Sequence, residues 1–102
     1  MNYVNLTPHT INFTDGRSFV ASGTVARVAV SYGDIINDIT EQKYGDVVDL
    51  PAPAEGTIFI VSALVLAALK GGRADVVAPA TGHPGCKRNE KGQIEAVPCF
   101  TR

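Results

Sequence analysis

The sequence predicts an α+β protein: a small, β-rich single domain spanning residues 1–102, with a mixed sheet, two hairpins and one helix at about residues 62–70. Three observations point to it. Most apolar segments are short, rich in β-branched residues and bounded by Gly, Pro, Asn or Asp. Only "SALVLAALK" joins an N-cap residue to strong helix formers, with Gly71-Gly72 as a stop. That helix lies between the strand-like runs "TIFIV" and "DVVAPA", and a strand–helix–strand order implies a crossover with a parallel pair or a helix packed across a sheet.

The first element, "VNLTPHTINF" (residues 4–13), carries a conflict of phase. Val4 and Leu6 share one parity and Ile11 and Phe13 the other, whereas a regular strand changes face at every residue. Pro8 has no amide hydrogen, so the strand is expected to be an edge or to be bulged there. A bulge adds one residue and restores the phase, which turns His9 to the inward side with Ile11 and Phe13.

Next, Asp15-Gly16 in "NFTDGRSF" marks a tight hairpin and Ser22-Gly23 a further turn. "TVARVAV" is a strand whose Arg27 faces solvent or a ligand. Residues 31–43 fit either an amphipathic helical turn or two strand pieces. "YGDVVDL" is a strand ended by the proline loop "PAPAEG", and Asn89-Glu90-Lys91-Gly92 is the turn of a second hairpin.

The chain is 45% apolar with a net charge of −1, a balance that argues against a general nucleic-acid binder. No basic, apolar leader opens it, and "IFIVSALVLAAL" is too short for a membrane span. Its two cysteines are therefore expected to be reduced thiols, and the chain cytoplasmic. Under that expectation, the Asn5-Leu6-Thr7 and Asn12-Phe13-Thr14 triplets carry no glycans.

Candidate chemistry concentrates in "ATGHPGCKRNE" (residues 80–90). Thr81, His83, Lys87 and Arg88 offer a hydroxyl, an imidazole and cations suited to a phosphate, although a solvated loop and hairpin tip have the same composition. His9 and Thr10 join the candidate ligand contacts through the expected bulge, and Arg27 through its strand; the plainer reading of His9 is a histidine bonded to a neighbouring carbonyl or hydroxyl. Ser62 is an N-cap that could also expose an anion site, but neither the G-x-G-x-x-G nor the Walker pattern occurs. His83-x-x-Cys86 has the spacing of a metal-ligand pair but lacks a second close pair, so no metal and no cofactor are expected. The two-histidine phosphoesterase motif fails at both His9-Thr10-Ile11 and His83-Pro84-Gly85. G-x-S-x-G and H-E-x-x-H are also missing, which favours a non-enzyme.

The succession "VNLTPHTINF", "ASGTVARV", "GTIFIVSALVLAAL", "RADVVAPAT" and "KRNEKGQIEAV" resembles, nearly end to end, a family of small proteins encoded by tailed phages and prophages. The resemblance implies an accessory protein in the cytoplasm of the host and supplies no catalytic residue. By analogy with small anti-defence proteins, the leading expectation is a homo-oligomer that binds and sequesters a phosphorylated nucleotide immune signal of the Thoeris or CBASS type. Arg27, Arg73, Lys87 and Arg88 would supply charge, and His9, Tyr32 and Tyr44 stacking surfaces. The alternatives are a protein-binding or minor virion-associated module without a small ligand, and a phosphoesterase acting on the same signals.

Overall fold

The computed structural model describes residues 1–102. Its centre is a four-stranded mixed sheet in the order β1 (Asn2–Asn5), β6 (Thr57–Ile60), β7 (Val76–Pro79), β10 (Phe100–Thr101). β1 and β7 both run parallel to β6, while β10 is antiparallel to β7. The crossover from β6 to β7 carries the one helix, α1 (Ala63–Ala68). Three two-stranded ribbons surround the sheet: β2 (Ile11–Asn12) with β3 (Ser18–Phe19), β4 (Arg27–Tyr32) with β5 (Gln42–Val48), and β8 (Lys87–Arg88) with β9 (Ile94–Ala96). The expected β-rich α+β domain is therefore observed, with a third hairpin, β4–β5, beyond the two expected.

Alternation along the central strands builds two cores, one on each face. Phe59, Val61 and Val76 pack with Leu6, Ala26, Val28 and the helix residue Val65 on the first face. Ile60 and Val77 pack with Ile11, Phe13 and Val97 on the second. On the second face, Phe13, Phe19 and Phe100 meet with ring centroids 4.7–5.0 Å apart.

This arrangement resolves the phase conflict of residues 4–13 and corrects the expected bulge. Val4 and Leu6 serve the first core, whereas Ile11 and Phe13 serve the second. No single strand has to hold all four on one side. β1 ends at Asn5, and the chain turns through Pro8 before β2 begins. Asn5 fixes the turn. Its amide nitrogen donates to the His9 and Phe19 carbonyls at 2.8 and 2.9 Å, and its Oδ1 accepts from the Thr7 amide at 2.9 Å and hydroxyl at 2.6 Å. His9 is exposed rather than turned inward.

The helix is shorter than its composition suggests. Ser62 is the N-cap, its Oγ accepting from the Val65 amide at 3.4 Å, and Leu69 is the C-cap. Lys70 already has a φ of 51°, followed by Gly71 at 75°, so Lys70 lies past the last turn instead of within it. With six residues, α1 offers no anion site at its N-terminus. No helix is long and apolar enough to cross a membrane.

After the helix, Arg73 grips Asp75 at the entry to β7. Nε and Nη2 each lie 2.8 Å from a carboxylate oxygen, and Nη2 also reaches the Pro51 carbonyl at 3.1 Å. Hydrogen bonds from Arg73 hold the Asp75 carboxyl below its usual range. A lowered folded pKa stabilises the protein above the unfolded value, and this contribution is lost as pH falls through the folded one. The melting temperature of the wild type is therefore expected to drop below about pH 4 more steeply than that of Asp75→Asn, read from thermal melts across an acid series.

Candidate functional site

Thr10 and Thr81 come together. They line one cleft of ≈160 Å³ together with Ile94 and Glu95 of the β8–β9 ribbon. Arg88 adjoins it, donating from Nη2 to the Thr81 carbonyl at 3.4 Å and from Nη1 to the Gly92 carbonyl at 2.9 Å. Both partners are neutral, so the guanidinium ties the loop to the hairpin tip while its charge stays unpaired. Gly92, with a φ of 78°, closes the tip as the turn pattern requires.

The 80–86 loop is folded on itself. The His83 amide donates to the Ala80 carbonyl at 3.1 Å, and its Nδ1 accepts from the Gly85 amide at 2.9 Å. The imidazole thus has one nitrogen engaged in the turn and the ring exposed. Cys86 Sγ points at the Ala80 carbonyl at 3.0 Å, which ties the thiol to the loop's own backbone. Cys86 and Cys99 are both free thiols, and no three His, Cys, Asp or Glu side chains group as a metal site.

Other candidates stand apart or are already engaged. Lys87 faces Glu95 at 4.0 Å across its ribbon. His9 precedes Thr10 in the chain, and its carbonyl is held by Asn5 and Thr7. Arg27 sits on β4, between Ala26 and Val28 of the first core, and pairs with Asp49 at 3.5 Å. It therefore belongs to the opposite face of the sheet from Thr10, Thr81 and Arg88. Tyr32 and Tyr44 lie on β4 and β5 and are far from forming a stacking pair around the ribbon cations, because their hairpin packs on α1 and not on β8–β9.

What the sequence reading missed is the β4–β5 arm itself. From Val30 to Tyr44 the hairpin leaves the core, and Val30, Tyr32, Ile35, Ile36, Ile39 and Tyr44 are 41–76% exposed. Its tip is well defined. The Ile36 and Ile39 backbones exchange hydrogen bonds of 2.8 and 3.0 Å around Asn37 and Asp38, whose φ angles are 52° and 66°. This is the two-residue turn with both centres left-handed, which Asn and Asp tolerate. The signal was present as a polar pair between isoleucines, with Asp standing where Gly is usual.

An isolated two-stranded hairpin is marginally stable in water, and a contiguous exposed apolar surface marks a contact site. The molecule as a whole repeats the message. Its accessible surface is 6947 Å², against about 5,500 Å² expected for a monomer of this mass. Its radius of gyration is 15.6 Å, against about 13 Å expected. The candidate site with the strongest physical case is therefore this arm. Comparison with known proteins adds no relative to these observations: no family model, no curated protein and no solved structure matches the chain.

Proposed function

We propose that this protein is a non-catalytic binding module that docks on a protein surface through the β4–β5 arm. One observation carries the reading: an ordered turn presents Ile35, Ile36 and Ile39 to solvent, at 68–76% exposure, beyond the reach of either core. The resemblance to small tailed-phage products supports an accessory or minor virion-associated role inside an infected host. Substituting Ile36→Asp together with Ile39→Asp tests it. Such exposed changes are expected to shift stability by about 0.5 kcal/mol or less each, while a stoichiometric partner held by the wild type is released. Equal retention of every partner by wild type and variant overturns the reading.

A second reading, sequestration of a phosphorylated nucleotide signal, is favoured by the unpaired Arg88 charge beside the Thr10–Thr81 cleft. The cleft's ≈160 Å³ is below the roughly 300 Å³ at which ligand pockets begin, and Glu95 adds an opposing charge. Such a site would need a second copy to complete it. Cyclic nucleotides or ADP-ribose derivatives should then raise the melting temperature of the wild type and not of Arg88→Ala. A flat response across that panel removes this reading.

A further inference from the structure

We propose that the arm's partner is a second copy of this chain, and that the arm tip of one copy seats in the cleft between α1 and β7 of another. The inference rests on the arm-docking reading and adds the identity and address of the partner. Two surfaces of the same chain are open and chemically matched. The tip is apolar and net acidic: Ile36 and Ile39 are flanked by Asp34, Asp38 and Glu41, against the single cation Lys43, and none of these four has an ion-pair partner within the chain. The cleft, ≈450 Å³, is apolar and basic: Val76 and Ala78 are buried in its lining, Leu66 and the exposed Ala63 and Ala67 of α1 flank them, and the Lys70 and Arg102 side chains line it without carboxylate partners.

The geometry favours contact between copies over closure within one. The base of the arm packs on α1 through the first core, while the tip isoleucines of the same chain remain exposed. A volume of ≈450 Å³ leaves room for two isoleucine side chains, and the charges that line the cleft oppose those of the tip.

Sedimentation of the intact chain and two variants tests this. The tip variant is Ile36→Asp with Ile39→Asp; the cleft variant is Ala67→Glu with Lys70→Glu, both positions being exposed. Wild type is expected to sediment as an assembly of two or more copies that weakens with added salt. Each variant alone is expected to be monomeric with an unchanged circular dichroism spectrum. An equimolar mixture should recover a heterocomplex, because the tip variant keeps a cleft and the cleft variant keeps a tip. A monomeric wild type overturns the inference, and so does a cleft variant that stays assembled or a mixture that fails to recover. A monomeric wild type whose arm still retains a different protein leaves the docking reading standing. An arm whose variant changes nothing in any assay overturns both.

Discussion

Replacing Asn5 by Ala is expected to destabilise the protein by about 3–4 kcal/mol, measured by urea unfolding. Asn5 is 2% exposed, and its side chain makes four hydrogen bonds, two donated and two accepted. Truncation strips the Thr7 amide and hydroxyl and the His9 and Phe19 carbonyls of that partner at once. Thr7 is itself buried, so its amide cannot turn to bulk water without opening the turn. Orphaned groups of this kind cost about 1–3 kcal/mol each, with part recovered by relaxation and by the remaining Thr7–His9 bond at 3.0 Å.

Asn5→Asp separates the two halves of the network. It keeps the acceptor for Thr7 and loses both donations, leaving a carboxylate against two carbonyl oxygens. It is therefore expected to unfold at a lower urea concentration than Asn5→Ala at neutral pH. A loss below 1 kcal/mol in both variants would mean that Pro8 and the two cores set the turn without Asn5. The turn matters for the candidate cleft because it delivers Thr10 to the second face of the sheet.

How far the sequence announces this structure varies with the range of the interactions involved. Asp15-Gly16 and Asn89 to Gly92 specify their hairpins locally, through left-handed glycines with φ angles of 96° and 78°. The β6–α1–β7 crossover is local too, because Ser62 and Gly71 punctuate it on either side of an apolar run. The parity change between Leu6 and Ile11 is readable as a conflict, and its resolution is not. A bulge and a change of sheet face satisfy the same pattern, and only tertiary packing chooses between them. The separation of Arg27 from Arg88 has the same origin: nothing in the spacing of the two arginines says that their strands cover opposite faces. The arm is the clearest loss. Its isoleucines mimic core residues in composition, and exposure is a property of what the rest of the chain leaves uncovered.

Phe13→Ala is expected to be the most damaging change on the second face, at about 3–5 kcal/mol. Phe13 is 7% exposed and lies at the meeting point of three elements outside the central sheet's middle strands. Its ring meets Phe19 of β3 at 4.9 Å and Phe100 of β10 at 4.7 Å, and its backbone bridges to Val97 beside β9. Only 17 of 102 residues are buried, so a loss of that size removes a large part of a typical domain's stability of about 5–15 kcal/mol. The Arg17 guanidinium, 5.0 Å from the Phe13 ring centroid, is exposed and contributes far less; Arg17→Ala serves as the control. Phe13→Leu keeps most of the volume and loses the edge contacts between rings. A double-mutant cycle of Phe13→Leu with Phe100→Leu should return a coupling of about 0.5–1.5 kcal/mol. Below its transition temperature, the leucine variant should sediment as wild type does, because the arm is anchored on the other face of the sheet. A changed sedimentation coefficient in a folded Phe13→Leu protein would show that the two faces are mechanically coupled and that the arm does not act alone.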